Sequence, residues 1–481
     1  MYRKVLISVF AAILISVSCS KKTPQAPEKF GKQITILYTN DEHGWMEESE
    51  NHSGADGLMA LWKKQEGYTE EGPFLILSGG DMWTGPAIST WFQGKSMVEI
   101  FNAMHYDAAA IGNHEFDFKI EGLKDRIVQS DFPLLSANMR NKSNGQIPDF
   151  IQPFVIMQVN SIDIGIIGLS TTSTPYSTFP THVADYDFIP YQTALEEIVP
   201  QVKSAGAEIL IVIGHICESE MRQLISFANE HEISLITGGH CNQKVRDVID
   251  GVGLVQADAH LRHYGRVDIL FDDEADEVIS MEIEVLPNET DSRDPAITTV
   301  ISFWENQMND ALSEVIGFTQ SGIAKKSAQM VNMVMDSWLV SFPTADAAMS
   351  NAGGIRQSIP TGDITLETIV GLLPFENEIL EISMSGAEIQ QEAGRFIHSG
   401  LREGNPYIFA DSTAIENDRI YKVLTTDYLY FRDDRPFQFI DPHPFATAVH
   451  YRQPVIDWIK SLNTSSGDPL ENYLDFVRRQ H

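Results

Sequence analysis

The sequence predicts two layered α/β domains joined by a helix. Three observations lead there. The chain has 481 residues, more than one ordinary hydrophobic core accommodates. Residues 33–290 alternate short runs rich in Ile, Val and Leu with helical stretches at 58–66, 97–104, 120–130 and 191–205; that alternation marks a layered α/β structure. Residues 288–295 are polar and turn-rich, and beyond them Ile297, Val300, Ile301, Trp304, Met308 and Leu312 recur at helical spacing. The expected division is a first domain over 33–290, a linker helix within 291–317 and a second α/β domain over 318–481.

The apolar runs of the first domain share a habit. The first, 34–38, leads into Asn40-Asp41-Glu42-His43-Gly44, and the second, 74–77, into Gly79-Gly80-Asp81. The third, 108–111, leads into Gly112-Asn113-His114-Glu115-Phe116-Asp117, and the fourth, 162–169, into Ser170-Thr171-Thr172. The fifth, 209–213, ends at Gly214-His215, and the sixth, 235–237, at Gly238-Gly239-His240-Cys241-Asn242. Runs of this kind read as buried strands. Ligands of open α/β sheets bind beyond the carboxyl ends of the strands. Five of the six ends carry Asp, His or Asn, so together they suggest a metal site built from strand ends. Asp41 and His43, at i and i+2, are expected to point the same way from an extended strand end.

Singly, these motifs have ordinary readings. Asp-x-His and Gly-Gly-Asp are usually turns, and Asp117 could cap a helix starting near residue 119. What such readings leave unexplained is the ordered set.

Composition narrows the class. With 67 acidic against 34 basic side chains the net charge is −33, which repels DNA, RNA and anionic membranes. A nucleic-acid-binding module is therefore not expected, and a small anionic substrate would need strong local positive charge, which metal ions supply. The start reads as a targeting segment: Arg3-Lys4, an apolar stretch over 5–17 too short to span a bilayer comfortably, then Ser18-Cys19. The expectation is a signal peptide over 1–18, lipidation at Cys19, as in a bacterial lipoprotein, and a flexible tether over 19–32. That places the protein in the bacterial cell envelope, periplasmic or at the cell surface, touching the membrane only through its lipid. Cys217 and Cys241 remain. Two small buried thiols are the preferred reading, ahead of a disulfide, which export would permit, and of metal ligation.

In combination, Asp41-x-His43, Gly80-Asp81, Gly112-Asn113-His114-Glu115, Gly214-His215 and Gly239-His240-x-Asn242 resemble the calcineurin-like metallophosphoesterases. The longer strings Thr39–Gly44 and Gly112–Asp117 resemble the 5'-nucleotidase branch, which includes UDP-sugar hydrolases and 2',3'-cyclic phosphodiesterases. In the second half Asn351-Ala352-Gly353-Gly354-Ile355-Arg356 and Leu373-Pro374-Phe375 resemble the substrate-binding domain of those enzymes. The resemblance implies a four-layer α/β/β/α first domain and two divalent metal ions, for which mixed N and O ligands suit Zn, Mn or Co. One ion would be held by Asp41, His43, Asp81 and Asn242. The other would be held by Asp81, Asn113, His215 and His240. Asn242 stands where many relatives carry His and some Gln, and an amide oxygen ligates more weakly.

The resemblance further implies that His114 acts on the leaving group or the developing charge, with Asp117 orienting it. Arg356 would grip phosphate and Asn351 would contact base or sugar, on a loop that Gly353 and Gly354 turn tightly. Phe375 would be one face of a base clamp. Phe437, in Asp433-Asp434-Arg435-Pro436-Phe437, is the counterpart of the second face, although the glycines of relatives are missing. Lys325 or Lys326 would supply a further phosphate contact. Hinge motion between the domains would bring Phe375 and Arg356 over the metals.

The implied activity is hydrolysis of nucleoside 5'-monophosphates to nucleoside and phosphate. The alternatives are a UDP-sugar or dinucleotide pyrophosphatase, a 2',3'-cyclic nucleotide phosphodiesterase, a hydrolase of a sulfur-containing conjugate, and a surface binding lipoprotein that has lost catalysis.

Overall fold

The computed structural model describes residues 31–474 except 433, 435 and 436. The signal peptide, Cys19 and nearly all of the tether lie outside the described residues. No helix among the described residues is long and apolar enough to cross a membrane.

The first domain is built on twelve strands in two sheets. They are β1 (Lys32–Thr39), β2 (Phe74–Ser78), β3 (Ala108–Ala110), β4 (Leu134–Leu135), β5 (Phe154–Val159) and β6 (Ile162–Leu169). They continue as β7 (Ile209–Gly214), β8 (Ile233–Thr237), β9 (Lys244–Ile249), β10 (Val252–Ala257), β11 (His263–Asp272) and β12 (Glu277–Pro287). The first sheet runs β12-β11-β1-β2-β3-β4 and the second β9-β10-β8-β7-β6-β5. In the first sheet β1, β2, β3 and β4 are mutually parallel. In the second β6, β7, β8 and β10 are parallel.

The sheets pack face to face. Ile34, Ile36 and Tyr38 of β1 meet Ile164 and Ile166 of β6 and Ile209, Ile211 and Ile213 of β7 in one buried cluster. The alternate residues face helices: Leu37 and Ile76 join the cluster containing the helix Lys95–Ala103, while Ile167 and Val212 join that of the helices Tyr191–Ser204 and Glu218–Glu230. Strands covered on both faces explain the continuous apolar runs in the sequence. The layering is α/β/β/α.

The helix Pro295–Leu312 starts where Asp294 accepts from the backbone N–H groups of Ala296 and Ile297. Its apolar stripe, Ile297, Ile301, Trp304, Met308 and Leu312, is buried in the first domain's own core cluster. The second domain centres on a five-stranded sheet in the order Ile397–Ser399, Ala347–Ser350, Ile420–Thr426, Glu378–Ser385, Phe445–His450. Its two faces carry separate cores, one with the helix Ala328–Ser341 and the other with Ile389, Phe396 and Phe437.

Candidate active site

The carboxyl ends of β1, β2, β3, β7 and β8 converge. β1 stops at Thr39, and Asp41, His43 and Asp81 all adopt left-handed backbone, with φ of 51°, 47° and 57°. The extended-strand argument for Asp41 and His43 therefore fails. Their side chains meet because the loops after β1 and β2 run side by side, Asp41 N–H donating to Gly80 O at 2.9 Å and His43 N–H to Asp81 O at 2.9 Å. Gly80 has φ +84°, and a Cβ on Gly112 would lie 2.2 Å from an Asp81 carboxylate oxygen, so these positions leave room for that approach.

Asp81 is the centre. Its Oδ2 lies 2.9 Å from His215 Nε2 and 3.9 Å from His43 Nε2, and its Oδ1 accepts from His114 N–H at 2.8 Å. His43 Nε2 is 4.0 Å from Asp41 Oδ1. His240 N–H donates to Asp41 Oδ2 at 2.9 Å, and the His215 and His240 rings are 5.1 Å apart. His215 Nδ1 bonds Gly79 O at 2.8 Å and His43 Nδ1 bonds Thr84 O at 3.2 Å, which turns both Nε2 atoms toward the carboxylates. Asn113 Nδ2 donates to Ser177 O at 3.1 Å, leaving its buried Oδ1 with no donor among the described residues.

These are the features that test a metal pair. Buried Asn113 Oδ1 has no hydrogen-bond partner among the described residues, buried His215 Nε2 meets the Asp81 carboxylate at 2.9 Å, and both face a site with two carboxylates. Ligand atoms of His43, Asp81 and His114, and of Asp81, His215 and His240, lie within 4.8 Å of one another. Burial opposes a charged His215, yet the Asp81 charge and hydrogen bond raise it to about 10. Burial, with the Asp81 charge adding to it, raises Asp41 to about 6. Cations between these groups would replace the missing protons, so the residues fit two divalent ions. Asn242 also lines the cavity; it is exposed, with φ 51°, and its side chain has no hydrogen-bond partner among the described residues.

Two buried glutamates, given no role in the sequence reading although both stand inside its motifs, support the ligands. Glu115 accepts from Gly112, Asp81 and Met82 N–H at 2.6, 2.8 and 2.8 Å, tying the loops after β2 and β3 together. Glu42 is fully buried and accepts from the Thr39 and Ser78 hydroxyls. Burial pushes the Glu42 carboxyl up to about 8 from 4.5. A carboxyl raised on folding stabilises the fold fully below about 4.5 and loses that contribution as pH rises to about 8. The metal-free protein should therefore lose stability over this window, and Glu42→Gln should narrow the loss by a few kcal/mol, about 1.4 per pKa unit. Urea unfolding of both proteins at the two ends of the window checks this.

His114 Nδ1 is 2.7 Å from Asp117 Oδ2, and Asp117 Oδ1 accepts from Thr178 Oγ1 at 3.0 Å. The helix Lys119–Gln129 begins after Phe118 with no side-chain cap, so Asp117 serves His114 rather than the helix. Burial works against His114 protonation, but Asp117 and Asp81 together raise its pKa.

The site opens into a cavity of about 470 Å³ that the second domain walls with Asn351, Gly353, Gly354, Arg356 and Phe375. The Phe375 ring stacks on His114, centroids 5.8 Å apart, and the Arg356 guanidinium lies 5.7 Å from Phe375. Phe437 is misplaced by the sequence reading. It begins the short helix Phe437–Ile440, is fully buried 5.1 Å from Phe396, and does not line the cavity. Tyr428 and Arg432, which the sequence reading missed, stand on the wall instead. Tyr428 sits in a helical turn capped by Thr426, and its hydroxyl accepts from Arg432 Nη1 at 2.6 Å. Asp434 holds the Arg432 fork at 2.7 and 2.8 Å. Lys325 lines a small crevice beside the cavity with Arg356, His260 and His43, whereas Lys326 is exposed.

The expectation of two buried thiols is corrected. Cys217 and Cys241 form a disulfide, Cα atoms 5.3 Å apart, and Cys241 is exposed. The loops after β7 and β8 are neighbours because the strands are, and sequence distance conceals this.

The family profile described as calcineurin-like phosphoesterase matches residues 34–241, and that of the 5'-nucleotidase C-terminal domain matches 307–392. The chain belongs to the 5'-nucleotidase family. It is similar to human 5'-nucleotidase, 26% identical over 502 residues covering 91% of this chain and 86% of that protein. Its fold matches the 5'-nucleotidase precursor of Thermus thermophilus at TM-score 0.73 with 19% identity, covering 90% of this chain and 97% of that one. It also matches the sulfate thiohydrolase SoxB of that organism at TM-score 0.70 and 16% identity, covering 91% and 95%. Likenesses at these identities show the fold. As a member of the family the protein is a hydrolase of phosphate esters, and calcineurin-like phosphoesterases use two divalent metal ions.

Proposed function

We propose that this family member is an exported, lipid-anchored 5'-nucleotidase that converts nucleoside 5'-monophosphates and water to nucleosides and phosphate. The observation that carries the reading is the shared cavity. The ligand cluster and the His114–Asp117 pair of the first domain face Arg356, Asn351 and Phe375 of the second across one space. Its volume suits a small molecule, for which about 300–1,000 Å³ is usual.

In this reading Asp41, His43, Asp81 and Asn242 hold one metal ion, and Asp81, Asn113, His215 and His240 the other. Such ions supply charge neutralisation at phosphate oxygens and a water of lowered pKa. Arg356 grips the phosphate through paired N–H donors. Asn351 contacts base or sugar, and Gly353 and Gly354 let backbone approach. Phe375 and Tyr428 present aromatic surface to the base. His114 keeps its Nδ1 proton directed at Asp117 and presents Nε2 to the leaving oxygen, where a proton is delivered as the P–O bond breaks.

The test is phosphate release by the full chain from AMP, ADP, ATP, a 2',3'-cyclic nucleotide and UDP-glucose, with Mn, Zn, Co or EDTA. For intact diesters a phosphatase is added, and bis-p-nitrophenyl phosphate is followed by nitrophenol. Metal-dependent turnover strongest on AMP is expected. Phe375→Ala should raise KM for AMP by about 5- to 150-fold, the equivalent of roughly 1–3 kcal/mol of stacking, and leave the base-free diester within a few-fold. Activity on the artificial diester alone would reject nucleotide specificity. Inactivity with every metal would favour a binding protein.

A further inference from the structure

The Cys217–Cys241 disulfide sits inside the ligand loops. Cys217 lies two residues after His215, whose ring is fully buried and anchored on Gly79 O at 2.8 Å. It also opens the helix Glu218–Glu230, its N–H donating to Glu220 Oε2 at 2.8 Å, so this end of the bridge is fixed. Cys241 separates His240 from Asn242. His240 is held independently, its N–H shared between both Asp41 carboxylate oxygens at 3.1 and 2.9 Å. Asn242 is not held so. It is exposed and left-handed, and its nearest backbone anchors are Cys241 N–H on Gly239 O at 2.7 Å and Gln243 O, which accepts from Asp258 N–H at 2.8 Å. An amide ligand binds weakly, so its contribution depends on being held in place.

We propose that the disulfide is a positioning element of the metal centre: it fixes Asn242 and so sets the affinity of the ion shared by Asp41, His43, Asp81 and Asn242. The inference rests on the reading that Asn242 is a ligand. It predicts that the other ion, held by Asp81, Asn113, His215 and His240, is little affected by the bridge, because those four side chains are anchored without it. Cys241 is exposed, so the bridge is open to reductants.

The test uses the full chain, stripped of metal and titrated with Mn²⁺, oxidised or after treatment with a water-soluble phosphine that is then removed. Reduction breaks the S–S bond: the phosphine gives up two electrons, takes oxygen from water to become its oxide, and two protons appear on the two new thiols. Two additional thiols per chain are counted as proof of reduction. Calorimetry should show one Mn²⁺ affinity lowered at least tenfold and the other within threefold. The spin-coupled two-Mn resonance should give way to that of a single ion at the same metal concentration. Reoxidation should restore both readouts, and a Cys217→Ser, Cys241→Ser protein should reproduce the reduced state. If that variant does not fold, reversible reduction of the natural chain still decides.

Asn242→Ala in the oxidised protein should weaken the same ion, and its reduction should then cost nothing further. If Asn242→Ala leaves both affinities unchanged, the ligand assignment fails and the proposal with it. If Asn242→Ala weakens binding but reduction does not, the positioning role alone is overturned. Equal loss of both ions on reduction would make the bridge a general fold staple and also overturn it.

Discussion

Replacing His114 with alanine should lower kcat for AMP by about 10²- to 10⁴-fold, the range typical of a positioned proton donor, with bound metal unchanged. The expectation follows from geometry: Nδ1 is committed to Asp117 at 2.7 Å, which leaves Nε2 free to serve the leaving oxygen. The loss should shrink for a nitrophenyl ester, whose leaving group needs no proton. In the metal-free protein Asp117 and Asp81 raise the His114 pKa despite burial; with metal bound to Asp81, the Asp117 contact remains to favour the charged donor. The wild-type rate should accordingly fall as pH climbs through the His114 pKa, and His114→Ala should lose this limb. Single-turnover rates across pH on AMP and p-nitrophenyl phosphate measure both effects. Turnover equal to wild type would remove His114 from the chemistry.

Asp81→Asn should act earlier, on the ions themselves. The carboxylate lies 2.9 Å from His215 Nε2 and 3.9 Å from His43 Nε2, between the two ligand groups. Losing its charge should drop bound metal well below two ions per chain and cut kcat/KM at least ~10³-fold, since each ion contributes several kcal/mol. The fold should survive, because Glu115 grips the backbone rather than the side chain of residue 81. Elemental analysis after dialysis, with circular dichroism as a control for folding, separates the two. Full metal content in the variant would place the bridging role elsewhere.

Much of this site is legible in the sequence. A buried parallel strand must be apolar on both faces, so its last residue is followed abruptly by polar ones, and Asp81, Asn113, His114, His215 and His240 all stand at such breaks. Their convergence follows from sheet topology alone. Local geometry was less legible: Asp41 and His43 were expected to share an extended strand face, and they meet through left-handed backbone instead. The second domain was harder still. Phe437 and Tyr428 are both aromatics among charged neighbours, and which of them fills a core and which lines a cavity depends on how the sheet behind them packs. The disulfide was hidden for a related reason. A spacing of 24 residues carries no sign that β7 and β8 are adjacent.

The two sheets divide the site between them. β1, β2 and β3 deliver Asp41, His43, Asp81, Asn113 and His114, while β7 and β8 deliver His215, His240 and Asn242. The bond from His240 N–H to Asp41 closes a loop of 199 residues. In the proposed ligand assignment neither half offers a complete set to either ion, so hydrolytic competence is expected to be absent from partly folded intermediates. It arrives only when the halves seal, and bound metal then locks that closure by mass action. A chain still leaving the ribosome is thereby catalytically silent until its first domain is whole.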